Sequence, residues 1–191
     1  MIFGHMPAGY LIARFAYRRL GCDAVSRAAF VLAGLVGAVA PDFDLAYFYL
    51  IDGRQHHHHT YFTHFPVIWA ALLVVSVLWF RAARFRFMPA LAVVFSLNGL
   101  AHMVLDSIVG DIAWLAPWDM RLFSLFHVRS MFEPWWLNFI LHWSFALELA
   151  IVVCAYCVWR SSLDGERIRH LLELAQFHLL RLRAVPIRPK D

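Results

Sequence analysis

Between Phe65 and Phe80 the chain carries no charged residue, and Val, Leu and Trp dominate the run. Further apolar stretches cover residues 2–17, 28–40, 89–109 and 136–159. Repeated apolar runs constrain a fold more than any motif, because a soluble domain would have to expose them as large greasy patches. Hydrophobic residues make up 62% of the chain and charged residues 16%, against about 45–50% and about 25% in soluble domains. A bilayer removes the difficulty, and within it the backbone polar groups of a helix satisfy one another. The expected fold is therefore all-α: a multi-helix integral membrane bundle.

Residues 1–160 read as the membrane helical domain that carries the site. Arg18, Arg19 and Arg27 flank one connector, Arg81, Arg84 and Arg86 another, and Arg160, Arg167 and Arg169 follow the last run. The positive-inside rule puts these clusters in the cytoplasm. Beyond them Ile168, Leu171, Leu172, Ala175, Leu179 and Leu182 recur at helical spacing, which predicts a basic amphipathic helix over 161–185 lying on the membrane surface. A disordered tail is expected over 186–191. The density of Trp114, Trp118 and Trp135 fits an interfacial aromatic belt.

Several classes are excluded. No P-loop, dinucleotide fingerprint or serine nucleophile elbow occurs. The arginines cluster beside apolar runs rather than forming a nucleic-acid footprint. Cys22, Cys154 and Cys157 give no disulfide framework. The first residues lack a basic leader and a small-residue cleavage site, so no cleavable signal peptide is expected.

The chemistry-bearing stretch is residues 55–66, with His56, His57, His58, His59 and His64 just before the uncharged run. Neutral imidazole is the commonest side-chain metal ligand. Asp42 and Asp44 interrupt two apolar segments just after Pro41; taken alone, they read equally as a functional site or as a polar loop between two short helices with one of them as an N-cap. Asn98, His102 and Asp106 recur every four residues and so share one helix face. Alternating through the helices brings His5, Asp42, Asp44, the histidine tract, His102, Asp106, His127 and His142 to the face opposite the arginines. Donors of this type suit zinc, manganese or a related divalent ion, and thiolate sites are excluded. A continuous histidine run cannot aim every ring at one point, so His56, His57 and His58 read as a solvated loop. His142 stands open between a ligand and a core histidine.

Gly4-His5, Pro41-Asp42-Phe43-Asp44, His58-His59-x-Tyr61-x-Thr63-His64 and His102-x-x-x-Asp106, followed by Gly110 and Pro117-Trp118, resemble the membrane-bound metal-dependent hydrolases of bacterial inner membranes. These are the YdjM-type proteins, LexA-regulated in the named member. The family is distantly similar to zinc-dependent phospholipase C and P1-type nucleases. The resemblance implies metal ligands at His5, Asp42 or Asp44, His59, His64, His102, Asp106 and His142; Asp44 and Asp106 are the expected catalytic carboxylates. The chain departs from the pattern in two places. Thr60 stands where the family often has Arg, and Ala146, rather than Glu, follows His142 at the spacing found in the phospholipases.

The expected protein is thus a multi-pass inner-membrane hydrolase whose metal-activated water acts at the extracytoplasmic face. Its expected partners are membrane lipid and a phosphoester or phospholipid-like substrate, with no nucleic acid as a structural partner. A metal or proton transporter or sensor is one alternative, and a non-catalytic membrane interaction protein the other.

Overall fold

The computed structural model describes residues 3–20, 25–134 and 136–183, with side chains as far as Leu163. The chain forms two compact units, Met1–Ala155 and Tyr156–Asp191. Among the described residues there are seven α-helices and no β-strand, as the apolar runs predict.

Helix α1 spans His5–Leu20 and α2 spans Arg27–Val39. Ser26 opens α2, its Oγ accepting the Ala29 N–H at 3.2 Å, one of the first-turn donors a helix leaves unsatisfied. Pro41 ends α2, because a proline has no N–H to continue the ladder. The chain bends by 56° there. A 3-10 turn at Pro41–Phe43 leads into α3, Asp44–Leu50. Two further single-turn 3-10 helices, His58–Thr60 and Phe62–His64, carry the histidine tract. Then come α4 (Pro66–Ala82), α5 (Phe87–Asp106), the short α6 (Trp136–Ile140) and α7 (Ser144–Arg183).

Helix α5 is the axis of the first unit, and α1, α2 and α4 all pack on it. Its buried face includes Val94 and Gly99 together with Asn98, His102 and Asp106, the last three being the stripe expected from their spacing. Gly37 lets α2 come within backbone contact of α5, since a Cβ there would lie 2.2 Å from the Phe95 carbonyl oxygen. Ala13, Val25, Phe30, Ala90 and Val94 form a buried apolar cluster.

Helix α5 and the segment Ser144–Leu163 of α7 each provide 20 residues of apolar helix, about 30 Å at 1.5 Å per residue and enough to cross a bilayer core. The bent pair Arg27–Val39 and Pro41–Leu50 makes a third span if it is counted as one. Helix α4 is apolar but shorter, at 17 residues.

The expected last span, 136–159, is corrected. It breaks after Ile140, and α7 begins only at Ser144. The His142 ring supplies the local reason: its Nδ1 accepts the Ser144 N–H at 3.3 Å and contacts the Ser144 hydroxyl at 2.9 Å. The backbone of α7 stays helical to Arg183. The side chains that would make 161–185 amphipathic mostly lie outside the described residues, and so does the whole of 186–191.

Helix direction sorts the charges. Helix α1 starts at His5 and ends with Arg18 and Arg19, and α2 starts at Arg27 and ends beside Asp42. Helix α4 follows His64 and ends near Arg81, while α5 follows Arg86 and ends at Asp106. The candidate donors on these helices therefore gather at one end of the bundle, away from the arginines.

Candidate metal centre

The last turn of α5 turns His102 and Asp106 inward, both almost fully buried. The Ala38 carbonyl at the end of α2 can only accept, so the His102 Nδ1 2.7 Å away must carry the proton. His102 Nε2 then faces the carboxylates. It lies 3.0 Å from Asp106 Oδ2 and 3.5 Å from Asp42 Oδ1, yet it makes no hydrogen bond. His5, in the first turn of α1, stacks on His102 with ring centroids 3.7 Å apart. Its Nε2 is 3.1 Å from Asp106 Oδ1.

His59 reaches Asp106 from the first tract turn, with Nε2 3.6 Å from Oδ2. Its Nδ1 donates to the carbonyl of Gly110, just past α5. Gly110 N–H in turn donates to the Asp106 carbonyl at 2.6 Å. A Cβ on Gly110 would sit 2.7 Å from that carbonyl oxygen and 3.0 Å from His59 Cε1, so the close turn that aims His59 excludes any larger residue.

His64 connects these groups to the acids after Pro41. Its Nδ1 donates to Asp44 Oδ2 at 2.6 Å, and its Nε2 lies 3.6 Å from Asp42 Oδ1 without a hydrogen bond. The Thr63 hydroxyl donates to the same Asp44 oxygen at 2.6 Å. Trp69 of α4 secures this turn by donating its Nε1–H to the Thr63 carbonyl at 2.7 Å.

The structure thus brings His5, Asp42, Asp44, His59, His64, His102 and Asp106 into one connected cluster. His142 is not among them, because the break before α7 turns its ring to Ser144. His58, read from sequence as part of a solvated loop, lies 3.8 Å from Asp44 Oδ1 and belongs to a donor set with His59 and His64. His56 and His57 are exposed, and His56 pairs with Asp52 at 2.6 Å. Gly110 carries no donor side chain, and in the sequence it is marked only as a residue of the family pattern after Asp106.

His59, His64 and His102 share one arrangement. In each, Nδ1–H is held by an oxygen that orients the ring, and Nε2 faces carboxylate. Such partners fix the tautomer of ligating histidines and raise their basicity. An Nε2 turned toward an anionic oxygen needs a proton or a metal ion between the two, and the donor set fits a divalent metal in that place. Three overlapping groups, His58/His59/His64, His5/Asp42/His102 and His64/His102/Asp106, each place their ligand atoms within 4.8 Å of one another.

Burial holds His59 down to about 3, so it stays neutral at physiological pH. Burial also acts to lower His64, but the carboxylates of Asp42 and Asp44 outweigh it and hold this histidine above its ordinary value. A metal there must displace that proton. The way in runs past Asp42 and His58, whose side chains are 30% and 26% exposed while the other donors are nearly sealed.

An apolar helical bundle with an inward-facing His/Asp cluster at one end defines a membrane protein with a potential buried metal centre. The chain matches the YdjM inner membrane protein family over residues 1–166 and belongs to it. It is accordingly an inner-membrane protein. No curated protein and no solved structure matches the chain.

Proposed function

We propose that this protein is a metal-dependent hydrolase of phosphoester or phospholipid-like substrates, with its centre toward the extracytoplasmic face. The observation that carries this reading is the shared geometry of His59, His64 and His102, each with Nδ1 tied and Nε2 turned toward carboxylate. His5, Asp42, Asp44, His59, His64, His102 and Asp106 hold the ion, zinc or a related metal such as manganese. When bound, a divalent ion of this kind lowers the pKa of a coordinated water to about 7 and polarises a phosphoryl oxygen.

The chain's own residues do the rest. Asp106 gathers the imidazoles of His5, His59 and His102 and fixes the positions of the donors. Asp44 takes the proton of the attacking water, since its Oδ1 makes no hydrogen bond while Oδ2 is occupied by Thr63 and His64. The water oxygen bonds to phosphorus, the P–O ester bond breaks, and the leaving alcohol recovers the proton. Asp42, the most exposed of the carboxylates in the cluster, faces the incoming substrate.

Protein purified in detergent without chelator is expected to contain stoichiometric zinc or manganese. It is also expected to hydrolyse a chromogenic phosphodiester or vesicle phospholipid, and to lose that activity on dialysis against chelator. Metal-free wild type would overturn the metal reading. Bound metal without hydrolysis of either substrate would favour a transporter or sensor.

Orientation has its own test. In a variant lacking the native cysteines, His57→Cys is expected to react with an impermeant maleimide from outside and Arg84→Cys only after the membrane is opened. Labelling of both from one side would overturn the placement.

A further inference from the structure

Glu148 is the only carboxylate in the Ser144–Leu163 span, and it is buried. A carboxylate inside an apolar helix is costly and calls for a partner. Its Oε2 accepts the backbone N–H of Phe3 at 2.5 Å and of Gly4 at 3.0 Å. Those groups belong to the start of α1, where the Gly4 carbonyl accepts the Ala8 N–H at 3.0 Å and so opens the helical ladder. Gly4 has no side chain with which to cap its own helix. An anionic oxygen at a helix N-terminus satisfies orphan donors and complements the positive end of the helix dipole. The Phe3 ring, edge-on to Phe145 at 6.3 Å between centroids, adds a second tie between the same segments.

The residue directly after this anchored pair is His5. Its position depends on how α1 begins, and its Nε2 sits 3.1 Å from Asp106 Oδ1. We infer that Glu148 is a positioning residue of the metal centre, holding the start of α1 so that His5 can serve as a ligand. This rests on the metal-centre reading above. Further along, α1 is held independently: Ala13 lies in the apolar core, and a Cβ on Gly9 would meet Ala38 of α2 at 2.5 Å. Loss of Glu148 therefore loosens the first turn and spares the rest of the helix.

The test is a mutant cycle read by cobalt(II) binding to the full-length protein in detergent, followed by visible absorption. Glu148→Leu removes the acceptor while keeping an apolar side chain. It is expected to weaken cobalt binding about tenfold, the scale on which outer-shell partners act, and to shift the cobalt spectrum toward that of His5→Ala. Glu148→Gln keeps a neutral acceptor oxygen and should recover part of the loss. In the His5→Ala background, Glu148→Leu should cost nothing further. Additive losses, or a wild-type spectrum in Glu148→Leu, would overturn the inference. Hydrogen exchange of metal-free protein provides a readout independent of the ion. Glu148→Leu should deprotect the amides of Phe3 and Gly4 but not those near Ala13, and unchanged exchange would also overturn it. If wild type binds no cobalt, the metal reading fails with it, whatever the exchange shows about the tie itself.

Discussion

Asp106→Asn is expected to strip the protein of its divalent metal while leaving it folded in the membrane. Asp106 is nearly fully buried, with His5, His59 and His102 around its two oxygens at 3.1, 3.6 and 3.0 Å. Asparagine keeps the shape and much of the hydrogen bonding but loses the anionic oxygen that a divalent cation needs. An amide is also cheaper than a carboxylate inside an apolar helix. A bound ion at 1,000 times its dissociation constant stabilises the fold by about 4.1 kcal/mol. At about 2–4 °C per kcal/mol for a chain of this size, chelator should lower the wild-type melting temperature by on the order of 10 °C. It should leave Asp106→Asn unmoved.

The competing account is a cluster held by protons alone, with histidinium facing carboxylate. Chelator would then leave wild type unchanged, and Asp106→Asn would lose about 3–5 kcal/mol from a broken buried pair. Metal analysis together with melting curves, with and without chelator, separates the two. Substoichiometric metal in both proteins would sink the metal centre.

The parts of this centre that sequence displayed are those whose geometry is local. His102 and Asp106 are adjacent turns of one helix, so their spacing alone places both on the face that α5 buries. Asp42 and Asp44 stand out because acids between apolar segments are rare, and Pro41 explains why the backbone turns there. The histidine tract was legible as a ligand source but not ring by ring. Which imidazoles point inward depends on two 3-10 turns, whose three-residue period differs from both helix and strand. His58 enters the cluster for that reason. The last helix was least legible. A three-residue break resets its register, takes His142 to Ser144, and leaves Glu148 facing backbone amides 144 and 145 positions earlier. No local pattern encodes a contact of that range; the only signal was a single carboxylate in an apolar span.

His64→Ala is expected to abolish stoichiometric metal binding, whereas replacing His56 and His57 together with Ala should leave metal content unchanged. His64 has no exposed surface and belongs to two of the three donor groups. Its Nδ1–H is spent on Asp44 and its Nε2 faces Asp42, so one ring links both acids after Pro41 to the α5 pair. His102 also approaches Asp42, at 3.5 Å, but His64 approaches both acids, and the loss should exceed the roughly 10–100-fold that follows removal of an outer-shell partner. His56 and His57 are exposed, belong to no donor group, and His56 is occupied by Asp52. His58→Ala should fall between the two, since His58 approaches Asp44 from the exposed side. The measurement is metal content after purification in one detergent, with melting temperature recorded to confirm that each variant is folded. Equal losses from His64→Ala and from the His56/His57 double variant would mean that the tract chelates as a loose loop and that the buried geometry of His64 does not select the ion.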